Sequence, residues 1–195
     1  MSSRPSTALR CHPAAACPAL AGFAVSVDWL ARGALSLTFR LTGAMAALRI
    51  PAPQAAGPAD LLWQHTCCEA FIAVAGRPAY REFNFSPSGQ WAIYDFADYR
   101  QRLDLSPPDP PPVLTVHRRA DGLELAVILD PALLPAAVPG TRLHLGLAGV
   151  VEAADGGKSY WALAHTEAQP DFHRQAAFRL DLTVPDTTQP DRASP

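Results

Sequence analysis

The chain has 195 residues, of which 49% are hydrophobic and 17% charged, a composition typical of a folded domain and not of a disordered chain. Its 20 prolines and 12 glycines exclude a coiled coil or a helical bundle and favour short strands joined by turns. The formal net charge of −2 provides no basic surface, so nucleic-acid binding is not expected.

The N-terminal segment is rich in alanine but lacks the unbroken apolar stretch of a signal peptide. Arg10 and the prolines Pro13 and Pro18 interrupt it. Elsewhere no apolar run reaches the roughly 18 residues that a bilayer-spanning helix needs. We therefore expect a cytoplasmic protein that does not bind membranes.

The four cysteines are predicted to remain thiols. Cys67 and Cys68 are neighbours in a candidate strand, where consecutive side chains point to opposite faces, so they are not expected to pair. Cys11 and Cys17 do not have the spacing of a zinc knuckle, and the chain has no second pair to complete one. The sequence therefore predicts neither a structural disulfide nor a cysteine-based metal site.

Alternation of apolar and polar residues predicts about eleven short strands. In residues 34–42, leucine and phenylalanine alternate with serine, threonine and arginine, as in a strand with one buried face. The other candidates are residues 25–29, 47–50, 67–75, 79–86, 91–96, 113–119, 123–129, 143–147, 160–164 and 177–182. So many strands with little helix predict an all-β fold, an antiparallel β-sandwich of jelly-roll-like form.

The connections between these strands carry turn-forming residues. Asp121 and Gly122 are typical of a tight hairpin. Residues 51–58 and 106–112 are rich in proline, and the second segment is predicted to cross between the two sheets as an extended loop. Residues 131–134 are expected to form one helical turn.

A single domain is expected over residues 8–183. No internal repeat or second composition type divides this range. Residues 1–7 and 184–195 are polar and proline-rich, so we expect both ends to be flexible.

The register of the central hairpin follows from a two-residue turn at Gly76 and Arg77. In that register Glu69 lies opposite Asn84, and Phe71 lies opposite Glu82, on one face of the sheet. The other face is apolar except for one arginine and pairs Ile72 with Arg81, Ala70 with Phe83, and Cys68 with Phe85. A shift of one residue would mix the two faces, so we expect this register.

A cluster of polar side chains is then predicted on the first face. If residues 87–90 form the next turn, Trp91 lies opposite Ser86 and Asp95 opposite Glu82. The face would carry Glu69, Glu82, Asn84, Trp91 and Asp95. Crowded carboxylates repel unless arginines such as Arg100 or Arg102, a bound cation such as calcium, or raised pKa values neutralise them. This crowding indicates a ligand site, although a solvated face with salt bridges is the simpler alternative.

Residues 158–178 form the second informative segment. Tyr160 and Trp161 must point to opposite faces of a strand, so only one of them can belong to the core. We select Trp161 as an aromatic platform for a ligand, with core packing as the alternative. His165 could act as a general base, a metal ligand or a haem ligand, or form a structural hydrogen bond. Asp171 lies in the loop that would form the rim of the site.

Three segments resemble a known family. LWQHTCCEAF, YREFNFSPSGQWAIYDFADYR and YWALAH with PDFH are similar to bacterial DOMON-like proteins, which are grouped with family 9 carbohydrate-binding modules and haem-binding DOMON domains. The resemblance covers about residues 8–183. It implies a β-sandwich whose concave sheet binds a small ligand, either a sugar clamped by two tryptophans or a haem held by methionine and histidine. Met45 and His165 are the residues that would hold a haem.

The leading hypothesis is therefore a non-catalytic module that binds a saccharide or another small polar ligand. Its predicted ligand-binding residues are Glu69, Glu82, Asn84, Trp91, Arg100, Trp161, His165 and Asp171. The alternatives are a haem-binding or redox module, an enzyme that uses Glu69 and Glu82 as paired carboxylates with His165, and an interaction protein without a small ligand. No nucleophile elbow, phosphate loop or zinc motif supports an enzyme.

Overall fold

The computed structural model describes residues 5–105 and 109–187, which contain thirteen strands. In chain order the strands are β1 (Thr7–Ala8), β2 (Arg10–Cys11), β3 (Leu20–Trp29), β4 (Leu35–Gly43), β5 (Gly57–Pro58), β6 (Cys67–Val74), β7 (Tyr80–Phe85), β8 (Gln90–Phe96), β9 (Val113–Arg119), β10 (Gly122–Leu129), β11 (Arg142–Glu152), β12 (Lys158–Ala162) and β13 (Leu180–Thr183). Short 3-10 turns occur at Ala31–Gly33, Met45–Ala47, Leu62–Gln64, Pro131–Leu133 and Gln175–Ala177.

The strands form two sheets that pack face to face as a β-sandwich. The five-stranded sheet has the order β1-β3-β4-β10-β9, and the eight-stranded sheet has the order β2-β12-β11-β6-β7-β8-β5, with β13 paired to β11. Neighbouring strands are antiparallel except for the short β5–β8 pair. The predicted all-β sandwich is confirmed. Among the described residues, no helical segment has the length and apolar character that crossing a bilayer requires.

The main core lies between the two sheets. It contains the alternating apolar residues of β4 and β10, which the sequence pattern assigns to one face. From the eight-stranded sheet, Phe83 and Phe85 point into this core, and the Phe85 ring lies 6.3 Å from that of Phe39. Burial of each such side chain contributes about 2–3 kcal/mol of hydrophobic stabilisation.

The eight-stranded sheet is also covered on its second face. Phe71, Tyr80, Phe96 and Phe178 form a separate aromatic cluster there. The rings of Tyr80 and Phe96 stack at 4.8 Å with an angle of 6°. This second covering explains why β6 is buried on both faces, unlike the half-buried strands of the smaller sheet.

Most strand predictions agree with the structure, and two do not. Residues 47–50 do not form a strand: the 3-10 turn Met45–Ala47 occupies their start, and Leu48 makes only an isolated bridge with Ala153. The 3-10 turn Gln175–Ala177 replaces the start of the last predicted strand, so β13 begins at Leu180.

The structure confirms two of the predicted connections between strands. Gly122 pairs with Arg119, which confirms the tight hairpin between β9 and β10, and the turn Pro131–Leu133 confirms the helical turn. β8 and β9 belong to different sheets, so the chain between Phe96 and Val113 connects the two sheets. Residues 106–108 of the proline-rich segment lie outside the described residues, so its extended form stays a prediction.

The expected flexible ends lie partly outside the described residues, which begin at residue 5 and end at residue 187. Within the described part, Thr7 pairs with Val25 of β3. At the other end, Val184 accepts a backbone hydrogen bond from Gly140 and donates one to Thr141.

The register of the first central hairpin is confirmed, because Glu69 pairs with Asn84 and Phe71 with Glu82. The register of the second hairpin is wrong by one residue. The loop after Ser86 contains three residues and not four, since Ser86 bonds to Gln90 and Gly89 takes a φ of 96°. A three-residue loop that ends in a left-handed glycine is a common hairpin geometry.

This one-residue difference moves every side chain of β8 to the other face. Trp91 pairs with Phe85 and points into the main core. Asp95 pairs with Arg81, and Tyr94 takes the place opposite Glu82.

Candidate functional site

A pocket of about 640 Å³ opens on the face of the eight-stranded sheet that points away from the main core. Its volume lies within the range typical of small-molecule sites. Strands β6, β7, β8, β11 and β12 form its floor, and the segments before β3, around residue 62 and after β12 form its walls. Its lining consists of Ala14, Ala15, Leu61, Trp63, Glu69, Glu82, Tyr94, Phe96, Arg100, Arg102, Val150, Tyr160, Gln169, Pro170, Phe172 and His173.

The floor of the pocket carries two buried glutamates. Glu69 is 3% exposed and Glu82 5% exposed, and Asn84, on the same strand as Glu82 and opposite Glu69, is fully buried. Asn84 Nδ2 donates a hydrogen bond of 2.6 Å to Glu82 Oε1. Glu69 Oε1 is buried without a hydrogen-bond partner among the described residues. An unsatisfied buried carboxyl oxygen is costly, which makes it a feature that a ligand could complete.

Burial controls the protonation of both floor carboxyls. It raises the pKa of Glu82 from 4.5 to about 7, against the opposing effects of the Asn84 hydrogen bond and of the arginines 100 and 102. Burial, together with repulsion from Glu82, holds the pKa of Glu69 well above its usual range. Both floor carboxyls therefore hold their protons to a higher pH than exposed glutamates do.

His173 connects the floor to the mouth of the pocket. Its Nδ1 lies 2.8 Å from the Tyr80 hydroxyl, and its Nε2 lies 3.8 Å from Glu82 Oε2. Burial and the nearby Arg100 lower the pKa of His173 to about 4, so the imidazole is neutral at pH 7. Because the Tyr80 oxygen already accepts the Arg100 backbone N–H at 3.2 Å, its own proton is free to reach Nδ1. That arrangement leaves the His173 proton on Nε2, facing Glu82.

Two arginines stand at the mouth. Arg100 Nη2 donates to Asp171 Oδ1 at 3.0 Å, and Tyr99 donates its hydroxyl to Asp171 Oδ2 at 2.7 Å. Partial burial opposes ionisation of Asp171. The hydrogen bonds from the Tyr99 hydroxyl, the backbone N–H of His173 and the Arg100 guanidinium outweigh this effect and lower the pKa of the carboxyl. Arg102 lies 3.9 Å from the centre of the Tyr94 ring, a cation–π contact.

Aromatic side chains supply much of the wall. Tyr160 and Phe172 contact each other with ring centres 6.2 Å apart. Trp63 is 45% exposed and lies on the turn Leu62–Gln64. His65, just after this turn, donates through Nδ1 to Glu152 Oε2 at 2.8 Å and so holds the turn against the end of β11.

The structure brings only part of the predicted site together. Glu69 and Glu82 share the floor, Asn84 bonds to Glu82, and Arg100 lines the mouth with Asp171 behind it. Glu69, Glu82 and Asn84 meet because the register of the first hairpin places them on one face, whereas Arg100 and Asp171 come from loops.

Three other predicted positions lie elsewhere. Trp91 is in the main core because of the changed register of β8. Trp161 is also in that core, with its indole N–H donating to Ser159 Oγ at 2.9 Å. His165 does not line the pocket: it donates to the Arg10 carbonyl at 2.8 Å, and its ring contacts His12 edge-on at 4.7 Å.

Several pocket residues were missed by the sequence analysis. Tyr160 follows from the alternation rule once Trp161 is assigned to the core, and Tyr94 follows from a three-residue turn after Ser86. The contributions of Phe172 and His173 depend on how the loop after β12 folds back over the sheet, which no local pattern indicates.

The lining does not fit an axially ligated haem. His173 is the imidazole in the pocket, and both of its nitrogens already face Tyr80 and Glu82. Met45 packs against the main core and is not part of the lining. The described residues also contain no group of three or more histidine, cysteine, aspartate or glutamate side chains that could hold a metal ion.

Comparison with known proteins shows similarity at the level of fold. No family model matches the sequence, and no curated protein matches it significantly. A proposed carbohydrate-binding protein from Bacteroides uniformis has a similar structure, with a TM-score of 0.60 and 15% identity over 80% of this chain and 76% of that one. A family 9 carbohydrate-binding module from Caldicellulosiruptor kristjanssonii in complex with glucose gives 0.47 and 11%, covering 72% of this chain and 65% of that one. A module of this family from the same organism with cellotriose gives 0.48 and 10%, covering 99% and 81%. At such identities, what this chain shares with the Bacteroides protein is the β-sandwich fold.

Proposed function

We propose that this protein is a non-catalytic module that binds a saccharide in the pocket over Glu69 and Glu82. The observation that carries the proposal is Glu69, which lines a pocket of about 640 Å³ and whose buried Oε1 has no hydrogen-bond partner among the described residues. Buried polar atoms in folded proteins are nearly always hydrogen-bonded, so a ligand donor is the natural complement to this oxygen.

The rest of the pocket suits a polyhydroxylated ligand. Carboxyl groups and the neutral imidazole of His173 can exchange hydrogen bonds with hydroxyl groups deep in the pocket. Tyr160, Phe172 and Trp63 offer apolar surfaces for the carbon skeleton of a sugar ring. The role ascribed to the Bacteroides protein of the same fold makes saccharides the first ligands to test.

The proposal is tested by calorimetric titration with monosaccharides and short oligosaccharides, chosen from a glycan array. The matched variants are Glu82→Gln, which keeps the shape of the side chain but removes its charge, and Glu124→Gln, an exposed residue of β10 in the other sheet. We expect the first variant to weaken saccharide binding at least about tenfold, or about 1.4 kcal/mol.

The control Glu124→Gln should bind like the unmodified protein. Circular dichroism and thermal melting of both variants check that the fold is intact. If no saccharide binds, or if an intact Glu82→Gln protein binds as well as the control, the proposed site is wrong.

A further inference from the structure

Within the described part of the chain, the two floor carboxyls form no ion pair with an arginine or lysine. Among residues 5–105 and 109–187, neither Glu69 nor Glu82 forms an ion pair with an arginine or lysine, and the closest basic group is His173 Nε2, 3.8 Å from Glu82. His173 is itself neutral at pH 7, because burial lowers its pKa to about 4. A buried carboxylate without a cation is strongly unfavourable, so in the free protein these carboxyls hold protons to a higher pH than exposed glutamates do.

The cationic groups that face this floor are held at the mouth. Arg100 donates to Asp171 at 3.0 Å. Arg102 lies over the Tyr94 ring at 3.9 Å and reaches Asp60 at 4.0 Å. Both arginines favour ionisation of Glu82 only from a distance.

The backbone positions of the two glutamates allow both carboxyls to share one small cation. Glu69 pairs with Asn84, and Glu82 lies two residues before Asn84 on β7, so the two glutamates are diagonal neighbours on one face. Diagonal neighbours in an antiparallel pair are about 7–8 Å apart at the backbone. An ammonium that donates to one oxygen of each carboxylate at about 2.8 Å fits between side chains at that spacing.

We propose that the ligand carries a protonated primary amine at its buried end and that this amine binds between Glu69 and Glu82. The inference rests on the proposed saccharide-binding function and narrows it to amino sugars. The ammonium would donate one N–H to the unpartnered Glu69 Oε1 and another to a Glu82 oxygen. The rings of Tyr94 and Tyr160 line the same pocket, and aromatic faces attract cations.

Binding of an amine between the two carboxyls is expected to release protons to solvent. An ammonium between the two carboxyls favours their ionised forms, so the protons that they carry in the free protein are released to solvent on binding. The affinity for an amino sugar should therefore rise with pH through neutrality, as long as the amine stays protonated. If a neutral sugar accepts a hydrogen bond from a protonated carboxyl, the carboxyls keep their protons and none are released on binding.

The test is calorimetry at pH 7 with matched pairs of ligands: glucose and glucosamine, galactose and galactosamine, and mannose and mannosamine, with the N-acetylated forms as uncharged analogues. Titrations in phosphate and in HEPES, which differ in heat of ionisation, give the number of protons released. The protein variants are Glu69→Gln, which keeps the side-chain shape, and the control Glu124→Gln.

At least one amino sugar should bind about tenfold more tightly than both its neutral and N-acetylated counterparts, with net proton release. Glu69→Gln should lower the ratio of amino-sugar affinity to neutral-sugar affinity to near one, and Glu124→Gln should keep that ratio. If neutral sugars bind as tightly as amino sugars, or if the preference survives in Glu69→Gln, the inference is wrong and saccharide binding stands. If no sugar of either kind binds, both proposals fail.

Discussion

Replacement of Glu82 by glutamine should change how the stability of the fold depends on pH. Folding raises the pKa of Glu82 from 4.5 to about 7, with burial as the main cause. At about 1.4 kcal/mol per pH unit, this rise corresponds to about 3 kcal/mol. The folded state holds the Glu82 proton more tightly than the unfolded chain does. The favourable contribution is therefore complete below pH 4.5 and is lost as the pH rises through about 7.

His173 produces the opposite slope in the same pH range. Folding lowers its pKa from 6.5 to about 4, again mainly through burial. Between these values the unfolded chain binds the additional proton, so stability rises with pH by a similar amount, about 3 kcal/mol. The contributions of Glu82 and His173 therefore oppose each other in the unmodified protein.

The difference between the unmodified protein and Glu82→Gln removes the His173 contribution, which is common to both, and leaves that of Glu82 together with its repulsion of Glu69. Urea unfolding at pH 4.5, 6, 7 and 8 provides the free energies of unfolding. We expect the stability of the unmodified protein relative to the variant to fall by about 3 kcal/mol from pH 4.5 to 8. Glu124→Gln, which removes an exposed partner of Arg40, should give a flat difference within about 0.5 kcal/mol. A flat difference for Glu82→Gln as well, or one that rises with pH, would refute the assignment of a buried, protonated carboxyl at the floor.

Two further predictions test the packing and the wall of the pocket. A Cβ at Gly149 would lie 2.6 Å from Cε1 of Phe23 and 2.9 Å from the Cys67 carbonyl oxygen, so Gly149→Ala should destabilise the fold by about 2–3 kcal/mol in urea unfolding. Gly57→Ala, whose Cβ would meet nothing within 4 Å, is the control and should change stability by less than about 0.5 kcal/mol. Trp63→Phe should reduce saccharide affinity by about 1 kcal/mol and abolish the part of the ligand-induced fluorescence change that comes from the exposed indole, with little effect on stability. An unchanged affinity would remove Trp63 from the binding surface.

The sequence predicts the sandwich well because its evidence is local and repeated. Alternation along β4 and β10 identifies the apolar side chains that enter the main core, although Ser36 and Thr38 of β4 are buried as well. The turn expected near Gly76 gives the pairing of Glu69 with Asn84. The structure keeps that register, although the turn closes one residue earlier, with the Arg77 N–H donating to the Val74 carbonyl.

The site is predicted less well because one loop length decides half of it. A turn of three residues in place of four moves Trp91 into the core and brings Tyr94 opposite Glu82. Ser86 and Gly89 are compatible with either turn, so sequence alone does not distinguish them. The loop that contains Phe172 and His173 is held over the sheet by contacts with Phe71 and Tyr80, which are distant along the chain.

A third glutamate shows that burial alone does not explain the raised pKa values of the carboxyls at the pocket floor. The Glu152 side chain is 7% exposed, close to the 6% of Glu82. Yet Glu152 accepts hydrogen bonds from His65 at 2.8 Å and Arg49 at 3.0 Å, and these partners lower its pKa despite the opposing effect of burial. Within the part of the chain that the structure describes, the fold thus supplies Arg49 and His65 to a carboxylate that holds a turn in place, and it supplies no arginine or lysine ion pair to the two carboxyls that line a cavity. Local unfavourable interactions of this kind are expected where a protein meets its ligand, which is why we propose that a cationic ligand group binds there.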